Sequence, residues 1–180
     1  MRTKILFNER GLKPGESYEK GQWEKIASHN DQEIKGFFGE YRFLSNFGPA
    51  KVFLDGDEYG SVENAYQAAK YPKELRIYLK ECSPKDAIDF SRANLNQAQT
   101  VEEWDAIKIQ VMCDLLWQKF DPNLNPENYQ KLKETGNRYL EETNYWEDTF
   151  WGVNKTEAGE PGVGENNLGK LLMEIREELE

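Results

Sequence analysis

The dipeptide Asp55-Gly56, set between an apolar run and a serine-capped helical stretch, constrains this chain's fold more tightly than any other feature. Lys51-Val52-Phe53-Leu54 reads as a strand. An Asp-Gly pair after such a run signals a hairpin, because both turn positions take positive φ and these residue types tolerate it. Ser61 then stands where an N-cap is needed, opening a helix through about Tyr71, which Pro72 stops. Upstream, a loop is crowded with aromatic and small polar side chains: Phe37, Phe38, Tyr41, Phe43, Ser45, Asn46 and Phe47.

The predicted helix distributes its side chains unevenly. Glu63, Tyr66, Gln67 and Lys70 fall at i, i+3, i+4 and i+7 and share one face. Ala65, Ala68 and Ala69 lie on the other side, small enough to admit a neighbouring helix. Two readings of the polar face stay open. It is a solvated stripe in which Glu63 favours the positive helix start, or it supplies a carboxylate and an amine to a site for a flat, polar ligand. The helix alone favours the first; the aromatic loop before it favours the second.

Length and charge narrow the functional classes. A chain of 180 residues suits one domain with a real core. A net charge of -10 gives no general attraction to a phosphate backbone, so any contact with DNA must be local. His29 is the only histidine, which removes most His-ligated metal sites and most catalytic triads. Its polar surroundings suit a surface residue. Cys82 and Cys113 lack metal-ligand spacing and suit reduced thiols in a cytoplasmic protein. No apolar run is long enough for a membrane helix, and the start from Met1 to Phe7 is too short for a signal peptide. Carboxylates, lysines, hydroxyls and backbone dipoles are what remains for chemistry, with no metal and no cofactor expected.

Further helices follow from local signals. Lys73 to about Lys80 carries Leu75, Ile77 and Leu79. Ser83-Pro84 has the form of an N-cap with proline at the first helical position, and Arg92 near that helix's end suits either the helix C-terminus or a phosphate. Thr100 and Glu103 form a capping box for a long helix to about Phe120. Its two apolar stripes, one through Trp104, Ile107, Val111 and Leu115, the other through Ile109, Met112 and Leu116, predict a core helix buried on most sides, with its aromatics packing. Asn125-Pro126 opens another helix, which Gly136 closes from the C′ position. An irregular acidic stretch from Tyr139 to Gly164 precedes a last helix from about Asn167, with Leu168, Leu171, Leu172, Ile175 and Leu179 as its apolar face.

The run FLSNF, the DG turn and SVENAYQAAKY resemble the core signature of the NADAR (YbiA-like) family of N-glycosidases. SPKDAIDFSR, WDAIKIQVMCDLLWQKF, TGN, FWG and ENNLGKLLMEIR resemble the same family in the same order, covering residues 36–180. Residues 1–35 fall outside the resemblance, either as an edge strand and short helix packed on the domain or as a variable extension; they receive no role. The resemblance implies an α+β fold, a mostly helical single domain with a small antiparallel sheet. It also implies cleavage of a bond between ribose and an amino nitrogen, in early riboflavin intermediates or in ADP-ribosylated guanine.

Three sets of residues then become candidates. Glu63 and Lys70 supply an acid and an amine for a glycosylamine that leaves through an oxocarbenium-like state. Alternatively the sugar opens to an imine that a lysine amine captures, which requires burial that favours the neutral amine. In the family the WG element lies at the site, so Trp151 and Gly152 are placed against a base or ribose, with Asp148 or Glu147 on hydroxyls. GENNLGK, from Gly164 to Lys170, has the spacing of a phosphate-binding loop, but Leu171 replaces the required hydroxyl and no strand precedes it. The amides around Gly162, Gly164, Asn166 and Asn167 remain a phosphate cradle or a plain helix cap. With Arg42 on phosphate and Phe43, Ser45, Asn46 and Phe47 walling the base, the expected enzyme is a metal-independent, cytoplasmic N-glycosidase. Its partners are a nucleotide-derived small molecule or ADP-ribosylated nucleobase, with local contact to modified DNA and none to membrane. The rival is a module that senses ADP-ribose without turnover.

Overall fold

The computed structural model describes residues 23–155 and 161–179. The Ile5-Leu6-Phe7 run and the Gly/Pro/Glu-rich stretch after it lie outside them. In chain order the elements are β1 (Ser28–His29), β2 (Glu33–Lys35), β3 (Pro49–Leu54), β4 (Asp57–Ser61), α1 (Val62–Ala68), α2 (Ile77–Glu81) and α3 (Pro84–Ala93). Then come α4 (Val101–Lys119), α5 (Pro126–Glu134), β5 (Tyr139–Glu141), β6 (Thr143–Asn144), β7 (Val153–Asn154) and α6 (Asn167–Glu178). The architecture is α+β. Residues divide into two compact units, one ending at Ser45 and resuming at Thr135, the other running from Asn46 to Glu134.

The Asn46–Glu134 unit grows from the hairpin. Asp55 and Gly56 take φ of 51° and 83°, the positive values that a tight β3–β4 turn demands. Side chains from α4 and from the residue just before α5 hold the outer edge of β3. The Gln118 amide bonds the backbone N–H and C=O of Phe53 (2.7 and 3.1 Å), and Asn125 does the same for Lys51 (2.9 and 2.8 Å), so that edge has partners. Ser61 ends β4 and caps α1, its hydroxyl accepting the Asn64 N–H at 3.1 Å. The Asn64 side chain then donates to the carbonyls of Leu79 and Cys82, both at 2.9 Å, pinning the end of α2.

Helix α1 stops at Ala68, earlier than its sequence suggests. Tyr71 precedes Pro72 and avoids continued helix, so the chain leaves through tighter i→i+3 bonds, Lys70 N–H to Gln67 C=O and Tyr71 N–H to Ala68 C=O. The alanines do what their size predicts: Ala65 and Ala68 are fully buried, and α1 packs on α3 and α4. Ser83 and Pro84 open α3, and the capping box at Thr100 and Glu103 opens α4, as expected from those residues. Burial of α4 on most sides is not found. Trp104, Met112, Leu115 and Leu116 are buried, whereas Ile107 and Ile109 are 39% and 48% exposed. These two residues flank the buried arc in the first half of the helix, and an apolar side chain there stays partly wet without much penalty.

The other unit holds a three-stranded sheet in the order β1-β2-β5, β1 antiparallel to β2 and β2 parallel to β5. Ile34 and Leu140 pair at its centre, both fully buried, and α6 packs on β5. A parallel β6–β7 pair follows. Beyond the expected antiparallel hairpin there are thus two further small sheets among the described residues. The parallel β2–β5 pairing joins segments far apart in sequence, and the β6–β7 pair is only two residues long on each side, so neither leaves a local signal.

Candidate active site

Every residue from Ser61 to Tyr71 is buried, so the polar face of α1 is not a solvated stripe. Glu63, Gln67 and Lys70 are only 3%, 2% and 3% exposed. Burying a carboxylate and an amine is costly unless both are paired and hydrogen-bonded. The helix's own spacing meets part of that demand. Gln67 Nε2 donates to Glu63 Oε1 at 2.9 Å, and Lys70 Nζ donates to Gln67 Oε1 at 2.9 Å. Acid and amine are therefore joined through one carboxamide.

Rings and a loop enclose this chain of bonds. Lys70 Nζ lies 5.1 Å from the Tyr66 ring centroid and 5.4 Å from that of Trp104, within cation–π range. The two rings meet edge to face at 4.9 Å. At the other end, the Glu63 N–H donates to the Asn46 carbonyl at 3.0 Å, which fixes Asn46 against the start of α1. The Asn46 amide nitrogen reaches Met112 Sδ at 3.5 Å. Two buried polar atoms beside the relay, Trp104 Nε1 and Asn46 Oδ1, have no hydrogen-bond partner among the described residues. Such atoms are uncommon in folded proteins and mark places where a ligand group fits.

Sequence reasoning assigned Trp104 to packing, which its burial against Tyr66 bears out, and gave Gln67 no role. The signal for Gln67 was its place between an acid at i−4 and an amine at i+3. For Trp104 it was an indole N–H that burial obliges to find an acceptor.

The remaining candidates belong to the other unit, apart from Phe47, which is half-buried beside Asn46. Arg42 and Phe43 lie in a short 3-10 turn from Gly39 to Leu44, Arg42 exposed and Phe43 half-buried near Tyr41. Ser45 follows, its N–H on the Arg42 carbonyl.

Asp148 organises the FWG loop: Oδ1 accepts the N–H groups of Phe150 (3.2 Å) and Trp151 (2.9 Å). The fully buried Asn144 side chain in turn accepts the Asp148 N–H at 3.1 Å and donates to its carbonyl at 2.7 Å. Trp151 is buried, edge to face with Phe150. Gly152 is there for space, since a Cβ would sit 2.2 Å from the Glu142 carbonyl oxygen and 2.7 Å from Asn144 Nδ2. Gly152→Ala should therefore destabilise the protein by about 1–3 kcal/mol, the usual cost of overpacking. Thermal unfolding would show it as a lowered Tm, and an unchanged Tm would contradict this packing.

At the start of α6 the hydrogen bonds are those of a helix cap. The N–H groups of Asn166, Asn167 and Leu168 donate to the carbonyls of Gly152, Phe150 and Trp151, at 3.3, 3.4 and 3.0 Å. The Asn166 side chain, on a left-handed backbone with φ of 54°, accepts from the Glu142 N–H (3.0 Å) and donates to the Leu140 carbonyl (2.9 Å). Asn167 Nδ2 donates to the Phe150 carbonyl and to Glu165. The polar turn clamps β5 and the FWG loop onto α6, and its leading amides are already used. Among the described residues, no group of three or more His, Cys, Asp or Glu is placed to hold a metal ion, and no helix is long and apolar enough to cross a membrane.

A buried acid on a helix, coupled to an amine just beyond that helix's end, is equipment for proton transfer or covalent amine chemistry. The chain belongs to the NADAR domain family, whose model matches residues 28–180 and so takes in β1 and β2. The chain is 30% identical to N-glycosidase Npun_R5314 of Nostoc punctiforme over 144 residues, 77% of this chain and 86% of that one. With N-glycosidase YbiA of Escherichia coli it shares 30% over 145 residues, 78% and 82% of the two chains. Riboflavin biosynthesis protein VVA0006 of Vibrio vulnificus is 34% identical over 139 residues, 77% of this chain but only 35% of the Vibrio protein. The NMR structure of E. coli YbiA superposes with a TM-score of 0.68 at 28% identity, covering 88% of this chain and 90% of that one.

Proposed function

We propose that this protein is an N-glycosidase that hydrolyses a ribosylamine-type bond in a nucleotide-derived substrate. The observation that carries this assignment is the buried Glu63–Gln67–Lys70 relay flanked by two unpartnered polar atoms. The relatives named N-glycosidase supply the reaction class. In the reaction, the bond between C1′ and the exocyclic nitrogen breaks, the nitrogen leaves with a proton, and water adds to C1′. Glu63 stabilises positive charge on the sugar or orients the water, and Lys70 delivers the proton to the departing nitrogen. Asn46 Oδ1 and Trp104 Nε1 offer one acceptor and one donor to the bound group. The depth of the relay suits a small ligand or a nucleotide out of its stack, not a base held within a duplex.

Two substrates fit this chemistry, a ribosylaminopyrimidine phosphate and ADP-ribosylated guanine in single-stranded DNA. Incubating the protein with each, in the presence of a strong chelator, should cleave at least one, giving ribose phosphate and free aminopyrimidine from the first, or ADP-ribose and unmodified guanine in the strand from the second. Tight binding without cleavage would instead identify a sensor of ADP-ribose or a related nucleotide. Activity lost on chelation and restored by added metal would refute the metal-independent chemistry assigned to Glu63 and Lys70.

A further inference from the structure

We propose that Gln67 is a positioning residue, a non-titrating bridge that holds the acid and the amine in their working orientation. The inference rests on the N-glycosidase assignment above. Gln67 is buried at 2% exposure and uses both ends of its carboxamide, N–H to Glu63 Oε1 and C=O to Lys70 Nζ. Only this orientation of the amide makes both bonds. The flipped one sets oxygen against carboxylate and NH2 against the lysine. The bridge therefore fixes two rotamers at once, those of a carboxylate one turn before it and of an amine just after the helix end. Catalysis is sensitive to that placement, since small displacements of reacting groups cost large factors in rate. A carboxamide also has no proton to lose near neutral pH, so the two groups remain linked without passing a proton between them.

Two variants separate positioning from mere packing. Gln67→Met keeps the length and volume but makes neither bond. It should lower kcat about tenfold or more, with KM changed by no more than about threefold. Gln67→Glu keeps a polar chain that still accepts from Lys70 but sets a second carboxylate against Glu63. Like charges favour protonation of the pair, so the acid limb of the kcat–pH profile should move to higher pH. A purely structural glutamine predicts altered thermal stability in Gln67→Met, with wild-type kcat and an unmoved pH profile in Gln67→Glu; that result overturns the proposal. Should Gln67→Met fail to fold, the pH profile of Gln67→Glu decides alone. Active wild type with unaffected Gln67 variants defeats only this inference. A wild type that cleaves neither substrate defeats the functional assignment, and the bridge with it.

Discussion

Glu63→Gln should lower kcat by about a hundredfold or more, the usual scale for a positioned acid or base, while the protein stays folded. A hundredfold corresponds to about 2.7 kcal/mol of transition-state stabilisation. The stability terms are smaller and oppose one another. Glu63 lies in the first turn of α1, where a negative charge is worth about 0.3–1 kcal/mol against the helix dipole. Removing the charge also relieves the desolvation of a side chain only 3% exposed. Glutamine keeps the shape and can still offer an oxygen to Gln67 Nε2. Parallel measurement of kcat and thermal unfolding therefore isolates the carboxylate's charge. If Glu63→Gln turned over like wild type, the acid would be structural and α1 would not be the catalytic helix.

What the sequence disclosed here follows from the range of each force. The Asp55-Gly56 turn, the Ser61 cap, the Ser83-Pro84 start, the Thr100–Glu103 box and the Gly136 stop are set by neighbours within a few residues, and they stand where local chemistry puts them. Burial is a property of distant packing. The pattern Glu63, Tyr66, Gln67, Lys70 looks like a surface stripe until Trp104, more than thirty residues on, is seen to lie beside Lys70. The exposure of Ile107 and Ile109 shows the converse error, because periodicity reports an apolar face but not whether a neighbour covers it. At Asn166, local rules left a phosphate cradle and a plain helix cap equally open, because the carbonyls from the loop at 150–152 that take these amides come from outside the helix start. The candidate acid and amine were legible as types at the right spacing. Their coupling through Gln67 needed the structure, since alternation of polar residues on a helix does not say which of them touch.

Lys70 should behave as a charged proton donor, and two substitutions with one chemical trap can establish it. Its Nζ donates to Gln67 Oε1 and lies over the Tyr66 and Trp104 rings, an arrangement that suits an ammonium. Lys70→Ala should lower kcat by about a hundredfold or more. Lys70→Arg keeps the positive charge and its donors but cannot form an imine, so it should retain at least about tenfold more activity than Lys70→Ala. The larger guanidinium risks overpacking a site this buried, at about 1–3 kcal/mol, so both variants are to be compared at matched thermal stability. The covalent alternative makes a different demand. There the amine attacks C1′ of a ring-opened imine, expels the substrate nitrogen, and leaves a lysyl imine for water to hydrolyse. Borohydride added during turnover would reduce that imine to a stable adduct, detectable as added mass on Lys70. A trapped adduct together with an inactive, folded Lys70→Arg would overturn the proton-donor role. Absence of the adduct with partial activity in Lys70→Arg is what the geometry around Gln67 and Trp104 leads us to expect.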